Sequence, residues 1–355
     1  MKIDSERRLD RLFMGGWLIF CVIYYLPWII VGGFSVTSPV WYFERQIQWF
    51  PFLSFFRQMI SARLFPAWCP HFYAGFPYLS YPPNFFYFPP DYVMLFLDNY
   101  RGIFWVHMFG FMLAGAFFYR MLRNLDLSAV ASGFGLLCFI GGLWFNISSA
   151  YDPFPMFVYP VALWAIAGIL RDRVCLKYLV ALWISLGLNL NFDLEQYFYL
   201  LFAIFIVSIF LARTQKFQRI LVIGIGFGFA LVFMLSPVIN LAGYSPHTVR
   251  SQGISFHNYI SLTPFQGLRT LFLFLNPFPE RLPVEFQAFY PGLVCLLMFF
   301  LGVKRLGIKG ILIALFLLGF ELYVIGWPPL CRFLFHIPVI NKFALHYSAA
   351  IVPYL

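Results

Sequence analysis

Charged residues are scarce in this sequence. Asp, Glu, Lys and Arg make up 11% of its 355 residues, whereas 62% are hydrophobic and the mean hydropathy is +0.80. Soluble globular proteins average about 25% charged residues. So few charges cannot cover a water-exposed surface, and the composition therefore excludes an ordinary soluble domain and favours an integral membrane protein.

Paired cysteines and metal-ligand spacings are also missing. The six cysteines form no CxxC pair, and four of them fall in or at the ends of the apolar runs described below: Cys21, Cys138, Cys175 and Cys295. This distribution argues against a disulfide framework and against a metal cluster. The histidines share no ligand spacing either, so we interpret them as structural: His71, His107, His247, His257, His336 and His346.

A basic stripe of the kind that binds nucleic acid is absent as well. The formal net charge is +10, but Lys and Arg come in small groups between apolar runs, so no nucleic-acid partner is expected. The first apolar run, 14–34, is too long for the core of a signal peptide and has no small-x-small cleavage site. It is interpreted as a retained first membrane span.

Long apolar runs dominate the remaining chain. A spanning helix needs roughly 20 mostly apolar residues. Nine runs qualify, and a tenth starts at 343–355; the nine are 14–34, 102–119, 129–145, 155–170, 178–190, 196–212, 220–236, 289–303 and 310–326. The sequence therefore predicts an all-α polytopic membrane protein with about 9–10 transmembrane helices, forming a single transmembrane domain over 1–355.

The distribution of Lys and Arg predicts the orientation. Every second loop is short and basic, beginning with Arg7, Arg8 and Arg11 before the first run. Cytoplasmic loops are enriched in such residues, so the N-terminus is predicted to be cytoplasmic and the long loops 35–101 and 237–288 to lie outside. The acidic residues beside the basic groups are interpreted as local charge balance: Asp4, Glu6, Asp10, Asp126 and Asp172.

The first outer loop, 35–101, carries a distinctive pattern. Between Trp41 and Ile60, apolar residues recur at helical spacing among polar ones, which predicts an amphipathic helix along the membrane interface. The following segment is rich in proline and aromatic residues, which excludes regular helix and predicts an irregular platform at headgroup depth.

Other outer loops carry charges close to span ends. Asp152, Asp193 and Glu195 lie in two short loops, and Arg250 and Arg269 lie in the loop 237–288. Arginines opposite carboxylates suit a phosphate-containing substrate, because Arg binds phosphate in a bidentate manner. Salt bridges between the loops are the alternative interpretation.

In the first outer loop the chain resembles the YfhO-like bacterial membrane proteins of the GT-C glycosyltransferase class. The loop of that family carries an acidic residue, an aromatic-Pro pair, a P-x-W-N-P segment, a Gly-x-Pro and a Tyr/Phe-Pro pair. Here they read Glu44, Phe50-Pro51, Pro66-Ala67-Trp68-Cys69-Pro70, Gly75-Phe76-Pro77 and Phe88-Pro89. The acidic residue of that family is usually Asp, and this chain has Glu44. Members also continue through further spans and an outer domain, so we expect the chain to be a fragment or to have lost that part.

The resemblance implies transfer of a sugar from a polyprenyl-phosphate donor to an envelope acceptor, at the outer face of the bacterial inner membrane. It implies that Glu44 is the catalytic base and that Arg250 and Arg269 stabilise the leaving lipid phosphate. Asp152, Asp193 and Glu195 would bind sugar hydroxyls or a divalent cation, and Trp49 and Trp68 would stack on sugar or isoprenoid. No dedicated metal site is predicted.

Two other functions remain open at this stage. A degenerate relative could be a non-catalytic structural or accessory subunit of a larger membrane complex. A transporter or flippase would show inverted repeats and polar residues at mid-membrane, and the sequence shows no convincing repeat.

Overall fold

The computed structural model describes residues 2–31, 50–70, 76–78, 92, 95–97, 99–141, 154–171, 175–192, 216–233 and 327–336, and single residues at 239, 243, 256, 311, 312, 315, 319 and 322. This part is almost entirely helical. The helices are α1 (Lys2–Val31), α2 (Phe50–Ser61), α3 (Asn99–Asn124), α4 (Ala129–Gly141), α5 (Phe154–Arg171), α6 (Leu176–Phe192), α7 (Lys216–Phe233) and α8 (Pro328–Phe335).

Six of the predicted spans coincide with helices α1, α3, α4, α5, α6 and α7. The predicted spans 196–212 and 289–303 and the stretch 343–355 lie outside the described residues, and 310–326 is described at single positions only. Two helical stretches are long and apolar enough to cross a membrane, Ser5–Ile30 and Phe104–Asn124. Shorter apolar helical stretches cover Val158–Arg171, Leu176–Gly187 and Gln218–Phe229.

Helix α3 lies at the centre of the described bundle. It packs against α1, α4 and α5, α5 packs against α6, and α6 against α7. Ala114 of α3 and Ala162 and Ala165 of α5 are fully buried. Small residues at such positions let helix backbones approach closely, which is how helices associate where lipid removes the hydrophobic driving force.

Two glycines create space for aromatic rings between helices. A Cβ at Gly115 of α3 would lie 2.3 Å from the Trp17 ring of α1, and one at Gly168 of α5 would lie 2.3 Å from the Tyr178 ring of α6. The Trp17 indole also donates a hydrogen bond to the Met112 carbonyl oxygen at 2.9 Å. The absence of a side chain at these glycines therefore leaves room for the Trp17 and Tyr178 rings between neighbouring helices.

The outer faces of the bundle helices are apolar as well. On α4, α6 and α7, exposed apolar residues recur every three or four positions: Val130, Phe134, Leu137; Leu176, Val180, Ile184; and Leu221, Ile225, Phe229, Val232. A helix that is apolar on both its inner and outer faces is typical of a membrane span or of the core of a large protein.

The loop after α2 departs from the all-α prediction. Trp68–Cys69 (β1) pairs antiparallel with Phe76–Pro77 (β2), with Trp68 opposite Pro77 and Cys69 opposite Phe76. Prolines at 66, 70 and 77 flank or end these strands, since each proline lacks the N–H that a longer ladder would need. The prediction that this segment excludes regular helix is confirmed for its described residues.

Candidate functional site

Helix α2 is the described part of the amphipathic helix predicted for Trp41–Ile60. It begins at Phe50, and 41–49 lies outside the described residues. Its apolar face, formed by Phe52, Leu53, Phe55 and Phe56, is buried in the protein. The sequence assigned this face to the membrane interface, but the structure shows it packed inside the protein.

Aromatic rings from the loop cover this face of α2. The Tyr78 ring lies 5.2 Å from that of Phe55, and the Tyr92 ring stacks on Phe56 at 5.8 Å. Partial burial raises the pKa of the Tyr92 phenol above its ordinary value. Of the described residues in this part of the chain, Tyr78 and Tyr92 therefore pack on α2.

A side-chain hydrogen bond fixes α2 beside the first turn of α3. The Arg57 guanidinium donates to the Leu97 carbonyl oxygen at 2.6 Å, two residues before α3 begins. The Tyr78 backbone N–H donates to the Ala67 carbonyl oxygen at 3.0 Å and extends the β1–β2 pairing. The platform, which we define as α2 with β1, β2, Tyr78, Tyr92 and Leu97, is thus attached to the start of α3.

The end of α2 turns the chain outwards. Leu64 N–H donates to the Met59 carbonyl oxygen and Arg63 N–H to that of Ile60, which is the Schellman pattern of a helix C-terminus. Arg63 occupies the left-handed position, with φ of 55°. Beyond this turn Leu64, Phe65 and Trp68 are 57%, 61% and 55% exposed.

Trp68 is the predicted site residue that the structure describes, and it lies at the exposed edge of the platform. The other predicted site residues lie outside the described residues: Glu44, Trp49, Asp152, Asp193, Glu195, Arg250 and Arg269. Within the described ranges, no three His, Cys, Asp or Glu side chains form a group that could hold a metal ion.

No protein-family model matches the chain, and no curated protein or solved structure matches it. The resemblance to YfhO-like proteins therefore stays a prediction carried by the residues of the first outer loop.

A cluster of charged and polar side chains lies at the end of the bundle that carries the N-terminus. Arg123 of α3 lies 2.9 Å from Asp10 and 3.2 Å from Glu6 of α1, and the Tyr119 hydroxyl donates to Asp10 at 2.7 Å. Arg171 of α5 pairs with Asp126 at 2.8 Å. Glu6, Asp10 and Asp126 therefore do take part in charge balance, but their partners in these contacts are arginines of other helices and not the basic residues beside them in the chain.

The same end of the bundle provides side-chain hydrogen-bond partners for backbone groups at helix ends. Glu6 accepts a hydrogen bond from the Ala129 N–H, in the first turn of α4, at 3.1 Å. Arg171 donates to the Arg123 carbonyl oxygen near the C-terminus of α3 at 3.0 Å, and Arg219 donates to the Leu170 carbonyl oxygen at the end of α5. A carboxylate at a helix N-terminus and cations at C-termini are the arrangement that helix dipoles favour. The cluster holds the bundle together and has the chemistry of a structural site.

A buried polar pair between α1 and α3 was not foreseen. Tyr25 and His107 share a hydrogen bond of 2.6 Å and are 1% and 5% exposed. The sequence places both residues in predicted spans, and a polar group there needs a partner on another helix. The hydrogen bond is consistent with the interpretation of His107 as structural, and the sequence did not identify Tyr25 as its partner.

Proposed function

We propose that the chain is a polytopic membrane protein that transfers a sugar from a polyprenyl-phosphate donor to an envelope acceptor on the outer face of a bacterial inner membrane. The observation that carries the proposal is the platform. It presents Trp68, from the segment that resembles the family, at an exposed edge fixed beside the start of α3. An exposed indole on a rigid support is suited to stack on a sugar ring or an isoprenoid unit.

The membrane placement is supported by how the helices divide their surfaces. In the 18-residue apolar stretch within Ser5–Ile30, 17% of the residues are buried inside the protein, so most of the stretch is accessible to lipid. The basic groups beside Glu6, Asp10 and Asp126 lie at the same end of the bundle as the N-terminus. Under the positive-inside rule this end is cytoplasmic, and the platform at the opposite end is then external.

The proposed reaction uses residues of the outer segments. The Glu44 carboxylate removes the proton from the acceptor hydroxyl, whose oxygen attacks the anomeric carbon of the sugar. The bond from that carbon to the phosphate oxygen breaks, and the lipid phosphate leaves with the electron pair. Arg250 and Arg269 stabilise the negative charge that develops on it.

The remaining predicted residues position the donor. Asp152, Asp193 and Glu195 bind sugar hydroxyls or a divalent cation through their oxygens. Trp49 and Trp68 contact the sugar or the lipid.

An accessory subunit of a larger membrane complex is the second candidate. The observation that favours it is the face of α1 opposite α3, which is continuously apolar and exposed at Leu12, Ile19, Ile23 and Ile30. Another transmembrane helix could pack on this face as readily as lipid. In that case the platform would be a binding surface for a partner protein.

The deciding experiment replaces Glu44 with Gln and measures sugar incorporation into envelope polymer. Loss of a general base lowers a rate by roughly 100- to 10,000-fold. Glu285→Gln, in the other long outer loop, is the matched control and should retain activity. Wild-type transfer by Glu44→Gln, together with stoichiometric co-purification of other subunits in mild detergent, would favour the accessory function instead.

A further inference from the structure

In the first turns of α1, the Glu6 and Asp10 side chains lie on a different side of the helix from those of Arg8 and Arg11. Glu6 and Asp10 face α3, where Arg123 binds both carboxylates. Arg8 and Arg11 are exposed and form no ion pair with any residue that the structure describes. Glu6 and Asp10, the nearest carboxylates whose side chains the structure describes, are thus paired with an arginine of another helix and do not neutralise Arg8 and Arg11.

The two arginines lie at the end of the apolar outer face of α1. At 100° per residue, Arg8 shares its side of the helix with Leu12, Ile19 and Ile23, and Arg11 flanks that side. This side is roughly opposite the buried stripe of Trp17, Cys21 and Tyr25. Cationic side chains therefore end a face whose exposed residues are otherwise apolar.

The length of this face matches one membrane thickness. From Leu12 to Ile30 the helix rises about 27 Å, close to the roughly 30 Å of a bilayer hydrocarbon core. Leu12, Ile19 and Ile23 are each 62% exposed, and Ile30 is 76% exposed. When these residues lie in hydrocarbon, Arg8 lies one helical turn beyond Leu12, at the depth of the lipid phosphates.

We propose that Arg8 and Arg11 bind the phosphate of an anionic phospholipid in the leaflet at the N-terminal end, with an acyl chain along Leu12, Ile19 and Ile23. The guanidinium group binds phosphate in a bidentate manner and remains charged at any physiological pH. An anionic headgroup is preferred over a zwitterionic one because Glu6 and Asp10 are already paired with Arg123 and do not compete for the two arginines. The inference rests on the membrane placement proposed above and is independent of glycosyl transfer.

The test uses the purified full chain in a non-ionic detergent. Phosphatidylglycerol or phosphatidylcholine is added, and bound lipid is counted by native mass spectrometry while thermal unfolding is followed. Wild type should bind and be stabilised by phosphatidylglycerol selectively. The double variant Arg8→Gln/Arg11→Gln should bind it roughly 10- to 30-fold more weakly, since each cation near an anionic surface contributes about 1 kcal/mol.

The control variant is Arg63→Gln, which removes an exposed arginine at the opposite end of the bundle and should bind phosphatidylglycerol like wild type. Inorganic phosphate serves as the soluble anion and should not reproduce the stabilisation. Equal binding of phosphatidylglycerol by wild type and the double variant would overturn the proposal, as would equal effects of the two lipids or full replacement by phosphate. None of these outcomes depends on the result for Glu44→Gln.

Discussion

Tyr25 of α1 and His107 of α3 share a 2.6 Å hydrogen bond that is sealed from solvent by aromatic rings. Phe111 lies edge-on to Tyr25 at 5.6 Å, and Phe104 does so at 5.9 Å. In a span, a hydrogen bond between two helices specifies which helix packs on which and in what register. The pair therefore fixes α1 on α3 at the end of the bundle opposite the ion-pair cluster.

Tyr25→Phe should destabilise the protein by about 1–2 kcal/mol, because it removes one partner of a buried hydrogen bond and leaves the ring contacts intact. Unfolding in detergent micelles, followed by circular dichroism, measures the change. Tyr24→Phe is the control, since the Tyr24 ring lies beside the same cluster but is 38% exposed. Equal losses in the two variants would show that the hydrogen bond to His107 contributes nothing specific.

Glycine substitutions should separate close packing from helix propensity. Gly168→Ala places a methyl group 2.3 Å from atoms of the Tyr178 ring, so either this ring or the two helices α5 and α6 must shift. The expected destabilisation is about 1–3 kcal/mol. Gly224→Ala, in α7, meets nothing within 4 Å and should be neutral or stabilising by up to about 1 kcal/mol. Thermal unfolding of both variants provides the comparison, and a neutral Gly168→Ala would contradict the close approach.

Arg123→Gln should weaken the attachment of α1 to α3 and α4. Glu6 and Asp10 lie one helical turn apart on α1, so without the guanidinium their charges repel each other. All three side chains are partly exposed, so solvent screening limits the expected loss to about 1–2 kcal/mol. The loss should shrink at high salt, where surface charges are screened. Arg120→Gln, at a neighbouring exposed position, is the control, and an equal salt-independent loss in both variants would contradict this account.

The positions of six helices could be predicted from apolar runs, because a long apolar run bounded by polar residues is a local feature of the sequence and depends little on tertiary contacts. The first span was predicted from residue 14, and the helix that contains it begins twelve residues earlier, at Lys2. Charged residues ended the apolar run there without ending the helix. Glu6 and Asp10 are held by Arg123, and that contact across a long sequence separation leaves no periodic signal.

The platform was predicted less completely. Proline density correctly excluded regular helix after α2, but the β1–β2 pairing depends on which two short segments meet, and composition does not encode that. The amphipathic pattern predicted α2 and placed Leu53 and Phe56 on its apolar face, but it also placed Ile60 there, which is 39% exposed, and it missed Phe52 and Phe55. Whether that face meets lipid or protein depends on Tyr78 and Tyr92, which lie far along the chain from α2. Of the candidate site, Trp68 is placed by the structure and the residues assigned to catalysis remain predictions.

Cysteine labelling tests the orientation of the helices directly. Cys175 is exposed between α5 and α6, whereas Cys331 of α8 is buried and its burial raises the pKa of the thiol to about 12. Because the thiolate is the reactive form, a raised pKa keeps Cys331 protonated and unreactive through neutral pH. In single-cysteine variants, maleimide at neutral pH should therefore label Cys175 and spare Cys331.

The side of labelling is the decisive result. A membrane-impermeant maleimide should reach Cys175 in inverted vesicles and not in intact spheroplasts, because the α5–α6 connection is predicted to lie on the N-terminal side. Labelling of Cys175 from outside would reverse the proposed orientation and would place the platform in the cytoplasm.

Two helix ends with left-handed residues allow a paired test of backbone strain. Arg63 follows α2 with φ of 55°, and Asp126 follows α3 with φ of 65°; both occupy the Schellman position at which glycine is usual. A left-handed conformation costs an L-residue about 1–2 kcal/mol, so Arg63→Gly should stabilise the protein by about 1 kcal/mol. Asp126→Gly relieves the same strain but removes the 2.8 Å ion pair with Arg171, so its net effect should be smaller or reversed. Thermal unfolding of both variants measures the difference. Destabilisation by Arg63→Gly would contradict this account. It would mean that contacts of the Arg63 side chain, beside the exposed Leu64 and Phe65, stabilise the protein by more than the left-handed backbone conformation costs.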